Sequence, residues 1–209
     1  VGEAVTIVVV PWRDTPGGDW AAGCRVVCAA LRRALPGFPV LLVDSGHETF
    51  NRAASRNFGV RAAPAGHVAV VCDADILPDP QPLALAVASA YDGRLHYPYT
   101  ICHYLTEAGT REVLHGQPPD PARIEFSIPA AQGGIMVMLA DGWLAAGGMD
   151  EGFVGWGFED NAWHTVVTAT IGPPVRHEGV VWHLWHPSDR NSGNPNETAN
   201  LIRARGAHG

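Results

Sequence analysis

Three short runs rich in β-branched residues, each followed by a stretch with helical spacing, constrain this chain more than any other feature. "AVTIVVV" (Ala4–Val10) reads as a strand buried on both faces. "AAGCRVVCAALRRAL" (Ala21–Leu35) follows as a helix and stops at Pro36-Gly37. "FPVLLVD" (Phe38–Asp44) predicts a second buried strand, and "ETFNRAASRNFG" a helix closed by Gly59. "HVAVVCDAD" (His67–Asp75) predicts a third strand, and "PLALAVASAY" (Pro82–Tyr91) a helix with proline at its start. Strand and helix alternating three times give an α/β fold with a mainly parallel central sheet flanked by helices. Ligands of such sheets bind at the carboxyl ends of the strands. That rim is Pro11–Asp14, Asp44–His47 and Asp73–Asp79.

The second half changes character. Gly and Pro become frequent, strand signals shorten, "LHGQPPDPARIE" (Leu114–Glu125) predicts a mobile loop, and a polar tail begins at Ser188. The expected organisation is one domain over 1–209: a ligand-binding half (1–100) and an irregular acceptor half (101–209). A 46% hydrophobic, 17% charged composition suits a folded globular chain with a sizeable core. A net charge of −7 argues against a broad grip on nucleic acid or anionic membrane. No run reaches the ~18 apolar residues of a membrane span. The start of the chain lacks the basic residues and cleavage site of a secretory signal. Cys24, Cys28, Cys72 and Cys102 form no CxxC pair and read as buried free thiols, so a cytoplasmic location is expected.

Three constellations carry chemistry. In "VVCDADILPDP", Asp73 and Asp75 follow a buried strand, and extended chain would send both carboxylates to one side, where they need a cation. A turn-forming pair is the plainer alternative. In "GGMDEGFVGWGFEDNAWH", glycines at 147, 148, 152, 155 and 157 alternate with Phe153, Trp156 and Phe158 before Glu159, Asp160 and Asn161. Glycines let backbone approach a ligand and aromatics stack on sugar rings, whereas helix capping explains the acids alone. In "VVWHLWHPSDR", His183 and His186 would face opposite sides of a strand, but a turn at Pro187 can bring both inward. Two histidines with an aspartate make a mixed nitrogen–oxygen site suited to Mn²⁺ or another divalent cation.

In this order the motifs resemble those of the β-1,4-galactosyltransferases and their minimal bacterial or phage-type relatives. These are inverting glycosyltransferases of GT-A (Rossmann-like) fold that use UDP-sugars and Mn²⁺. The resemblance rests on "VVVPWRD", "ETFNRA", "DADILP", Gly133-Gly134, "GWGFEDN" and "HLWHPSDRN". It implies that Pro11, Arg13, Phe50, Arg52, Asp73, Gly134 and Trp156 border the donor, with Trp156 on a closing loop. Asp75 would bind the metal, and His183-x-x-His186 stands where the family has Met-x-x-His. Glu159 would hydrogen-bond the acceptor sugar, and Asp160 matches the catalytic base. Phe158 replaces a family glycine and Asn161 an aspartate, which implies a different acceptor pocket. Ala131 stands where the family carries a bulky residue beside the sugar's 2-substituent, which leaves room for an N-acetyl group.

The expected reaction moves a hexose or N-acetylhexosamine from UDP-Gal, UDP-Glc, UDP-GalNAc or UDP-GlcNAc to an acceptor hydroxyl. The acceptor is a glycan, a glycosylated protein or a small molecule, with nucleic acid ranking last. Tyr104, Trp143, Trp156, Trp163 and the Pro118-Pro119 loop are candidates for a sugar platform. Two other classes compete: a metal-dependent nucleotidyl- or phosphotransferase, and a nucleotide- or carbohydrate-binding module without catalysis.

Overall fold

The structure, a computed structural model, describes residues 5–14, 20–155, 157–187 and 195–206. The N-terminal alternation is present. It runs β1 (Thr6–Pro11), α1 (Trp20–Ala34), β2 (Val40–Val43), α2 (Arg52–Arg61), β3 (Val68–Cys72), β4 (Ile76–Pro78) and α3 (Pro80–Ser89). Then come β5 (His96–Tyr97), β6 (Ile101–Leu105), α4 (Glu107–Leu114), β7 (Ile124–Pro129), β8 (Ile135–Leu139) and α5 (Ala140–Ala145). The remainder is α6 (Glu159–Thr170), β9 (Val175–Arg176), β10 (Val180–His183) and α7 (Glu197–Gly206).

Two sheets organise these strands. One has the order β2-β1-β3-β8-β5-β9 and the other β4-β10-β6-β7. β2, β1 and β3 are parallel, as the apolar runs predict, but β8 joins β3 antiparallel. Each sheet takes strands from both stretches of the chain. The core lies where β1, β3 and β8, apolar on both faces, are covered by α1 through Cys24, Val27, Cys28 and Leu31.

Some sequence expectations need correction. β2 is not buried on both faces; it is the edge of its sheet and Leu42 is exposed. Gly59 does not close α2, which continues to Arg61. A β-carbon on Gly59 would collide with Val9 on β1, so the glycine lets helix and sheet approach. The Leu114–Glu125 stretch is built rather than loose. Asp120 caps a 3-10 turn at Pro121–Arg123, and Arg123 pairs with Glu112 at 2.6 Å. The tail is helical from Glu197, where α7 packs against α6, while 188–194 lie outside the described residues. No helix among the described residues is long and apolar enough to cross a membrane.

Candidate active site

The strand-end rim gathers two clusters. In the first, Asp73 and Asp75 part company. The chain leaves β3 after Cys72, and a turn closed by Ile76 N–H donating to the Asp73 carbonyl at 3.2 Å sends the carboxylates to different partners. The extended-chain expectation, with both on one side, does not hold. Asp75 alone meets the histidines. Its Oδ2 lies 3.3 Å from His186 Nε2 and 3.7 Å from His183 Nε2.

The histidines converge because the pairing with β4 runs only one residue past His183 before the chain leaves the ladder. Leu184 N–H donates to the Asp75 carbonyl at 2.8 Å, and Trp185 N–H to Thr110 Oγ1 at 2.6 Å. The imidazole centroids are 5.0 Å apart, and Trp20 packs edge-on against His186 at 4.0 Å. One ligand atom from each of Asp75, His183 and His186 lies within 4.8 Å of the others, the only such trio among the described residues. Asp75 Oδ1 is buried and has no hydrogen-bond partner among the described residues, an orphan that a cation would satisfy. Burial pulls the Asp75 carboxyl upward, yet the two histidines hold it down at about 2. Burial in turn pulls His183 below the usual histidine range, while the Asp75 charge pulls it the other way. The donor set fits a divalent ion.

The second cluster surrounds a guanidinium that sequence reasoning missed. Arg56 has no solvent exposure; it donates to Asp160 Oδ1 from Nη1 and to Asp73 Oδ1 from Nη2, each at 2.6 Å. Arg52, one turn earlier on α2, reaches Glu159 at 3.2 Å and Asp73 at 3.9 Å. Arg52 and Arg56 stand four apart, which puts them on one helix face; that spacing was the available signal. Glu159 and Asp160 open α6, whose N-cap is Phe158 with φ 71° and no side-chain cap bond. The acids therefore serve the arginines rather than capping their own helix.

Three carboxylates face two guanidiniums here, leaving one surplus negative charge. Desolvation, helped by Glu159 and Asp73 and opposed by Arg56, pushes Asp160 up to about 7. Asp160 keeps 23% of its side chain exposed. Its Oδ2 faces Gly133, where any β-carbon would collide with it. Gly134, with φ 78°, accepts from Asp73 N–H at 2.7 Å, so the glycine pair brings the β7–β8 loop against both acids.

The other expected donor-side residues occupy the same rim in differing ways. Arg13 grips Asp44 through Nε at 2.6 Å and Nη2 at 2.8 Å, and its remaining contacts are the His47 and Glu48 carbonyls. It also lies over the Phe50 ring at 5.7 Å. Arg13 thus shapes the rim, with its donors already engaged. Pro11 is buried as the last residue of β1. Trp156 lies outside the described residues.

Two residues of the expected sugar platform are core instead. Trp143 and Trp163 are each 1% exposed and pack on one another at 4.4 Å. Gly148 serves packing as well: a β-carbon there would press on Asn57, which also holds Trp143 Nε1 at 2.9 Å. Tyr104 is different. It stacks between His183 at 4.3 Å and the exposed Phe126 at 4.4 Å, extending an aromatic surface from the metal trio.

Comparison with solved structures finds Drosophila β1,4-galactosyltransferase 7, in a complex with manganese, UDP-Gal and xylobiose. Its TM-score is 0.59 at 18% identity, covering 93% of this chain and 75% of that one. The same enzyme's catalytic domain with xylobiose also gives 0.59 at 18% identity, covering 97% and 79%. Mycobacterium tuberculosis glucosyl-3-phosphoglycerate synthase with Mg²⁺ and UDP gives 0.50 at 13% identity, covering 98% and 80%. The fold is the GT-A glycosyltransferase fold.

Within this GT-A fold, residues 119–170 match the family described as the N-terminal domain of galactosyltransferase. That segment carries the Gly133-Gly134 loop and the Glu159-Asp160 helix start. No curated protein matches the chain. Asp75 and the histidines lie outside the matched segment, so the metal trio rests on geometry.

Proposed function

We propose that the protein is a metal-dependent inverting glycosyltransferase that moves a hexose or N-acetylhexosamine from a UDP-sugar to an acceptor hydroxyl. The observation that carries this reading is the divided Asp160 carboxylate. Arg56 fixes one oxygen, and the other is turned toward the glycine loop within the rim that holds Asp75, His183 and His186.

Asp160 is the base in this reading. The acceptor hydroxyl proton moves to its free oxygen while the acceptor oxygen bonds the anomeric carbon. The bond to the diphosphate breaks with its electron pair leaving on UDP, and no covalent enzyme intermediate forms. A push of Asp160 to about 7 suits a base working near neutrality. Glu159, held by Arg52, is assigned to hydrogen-bond the acceptor. Asp75, His183 and His186 would hold Mn²⁺ or a similar ion, which when bound supplies positive charge against the departing diphosphate. Phe50, Arg52, Asp73, Gly134 and Trp156 are assigned to the donor, with Pro11 and Arg13 as its frame.

The whole chain would act as one catalytic unit. Residues 1–100 supply most donor contacts, 101–209 the acceptor side, and the metal ligands join the two. The candidate acceptors are a glycan, a glycosylated protein or a small molecule, met by the Tyr104–Phe126 surface. Four buried free thiols support a reducing, cytoplasmic setting.

Titrating UDP with and without Mn²⁺, then following hydrolysis of UDP-Gal, UDP-Glc, UDP-GalNAc and UDP-GlcNAc, tests the reading. Mn²⁺-dependent UDP binding with turnover of at least one donor is expected. UDP binding without turnover of any sugar would indicate a binding module, and consumption of a nucleoside triphosphate a nucleotidyl- or phosphotransferase.

A further inference from the structure

Arg176 ends β9, and its guanidinium is tied to the elements that flank Asp160. Its Nη2 donates to the Ala130 carbonyl at 2.9 Å and the Ala131 carbonyl at 2.8 Å, and its Nη1 reaches the Tyr99 carbonyl at 3.4 Å. The Tyr99 hydroxyl joins it, donating to the Ala131 carbonyl at 2.9 Å and also contacting the Gly133 carbonyl. Three carbonyls of one short loop are thus held by two side chains. Ala130 sits at φ 52°, a left-handed conformation that a residue with a β-carbon keeps only when its surroundings impose it. The two residues after Ala131 complete the loop's link to the acids. Gln132 accepts from Asn161 at 2.6 Å, and Gly133 faces Asp160 Oδ2.

The same guanidinium reaches the other side of Asp160. It lies over the Tyr97 ring at 4.3 Å and near Tyr99 at 5.7 Å. The Tyr97 hydroxyl is 3.1 Å from His164 Nδ1, and His164 stands one turn beyond Asp160 on α6. Tyr97 and Tyr99 are both fully buried, so these links run through packed side chains.

We propose that Arg176, with Tyr99, is a positioning residue that sets the gap between the Ala130–Gly133 loop and α6 and thereby aims the free oxygen of Asp160. Arg176 touches neither donor nor acceptor in this assignment; it acts through the loop carbonyls and the Tyr97–His164 contact. The inference rests on the glycosyl-transfer reading for its kinetic consequence, but its structural half stands without it.

The test uses the full chain with Mn²⁺, a UDP-sugar that the wild type turns over, and the variants Arg176→Met, Arg176→Lys and Tyr99→Phe. Displacing a catalytic group by about 1 Å can cost ~10²-fold in rate. Arg176→Met is therefore expected to lose ~10–100-fold in kcat while UDP affinity in Mn²⁺ stays within about twofold. Arg176→Lys, which keeps one donor to the loop, should recover part of that loss. Hydrogen exchange of peptides covering 130–134 should quicken in Arg176→Met and Tyr99→Phe, with β3 unchanged. A normal kcat in a folded Arg176→Met protein overturns the proposal. So does a parallel fall of kcat, UDP affinity and melting temperature, which would mark a general structural role. If Arg176→Met does not fold, Tyr99→Phe carries the same kinetic and exchange readouts. If the wild type turns over no UDP-sugar, the transfer reading fails on its own account. Exchange at 130–134 then decides the clamp: unchanged rates overturn it and faster rates uphold it.

Discussion

Arg56 and Asp160, 104 residues apart in sequence, are joined at 2.6 Å across two helices. Because Arg56 also holds Asp73, the pair links the end of β3 to the first turn of α6. Removing one partner of a buried ion pair typically costs ~3–5 kcal/mol, since it strands the others' charge. Arg56→Met should destabilise the fold by about that amount, read as a lower denaturation midpoint, whereas an exposed change such as Arg111→Met should shift it little.

Gly133 is required for its missing β-carbon. Its backbone does not need a left-handed conformation, so alanine is conformationally allowed there, but its methyl would strike Asp160 Oδ2. Gly133→Ala should cost a modest ~1–3 kcal/mol of stability while cutting transfer by ~10²-fold through displacement of the base. Thermal unfolding and steady-state kinetics on the same preparation separate the two effects.

The metal trio makes a binding prediction independent of turnover. His186→Ala removes one of three ligands and should weaken Mn²⁺, and Mn²⁺-dependent UDP binding, by at least ~10-fold in titration calorimetry. Far-UV circular dichroism should match the wild type. Unchanged Mn²⁺ affinity would return His183 and His186 to a packing role beside Tyr104 and Trp20.

The upward push on Asp160 sets a pH dependence. Its carboxyl is raised to about 7 by burial and by Glu159 and Asp73, so the proton-accepting form is lost as pH falls through that value. The kcat/KM for transfer should fall about tenfold per pH unit below the transition and level off above it. A profile flat from pH 5 to 8 would mean that no group with such a value acts as base.

Much of this arrangement is legible in the sequence, and the gaps have physical causes. The runs at β1 and β3 announce buried strands, whereas the convergence of His183 and His186 follows from contacts at Leu184 and Trp185 that the sequence does not display. β2 misleads because an apolar run looks alike at the edge and the centre of a sheet. Gly59 misleads because close helix–sheet packing and helix termination both select glycine. The separation of Asp73 from Asp75 needs the turn geometry that only the folded chain supplies. Arg56 is the largest omission. The second arginine of "RAASRNFG" looks like part of a solvated helix face until α6 is seen to dock two acids against it and Arg52. Trp143 and Trp163 err the other way, since their ring chemistry suits sugar stacking but their packing partner is each other.

The central claim is that Asp160 performs the proton transfer, and Asp160→Asn tests it most directly. The amide keeps the size of the carboxylate but cannot take the proton. With a UDP-sugar, Mn²⁺ and an acceptor that the wild type uses, transfer should fall by ~10²–10⁴-fold. UDP and Mn²⁺ affinities should stay near wild type, because Asp75, His183 and His186 are untouched. Transfer by Asp160→Asn at close to the normal rate, with loss of activity in Glu159→Gln instead, would contradict the account and make Glu159 the base.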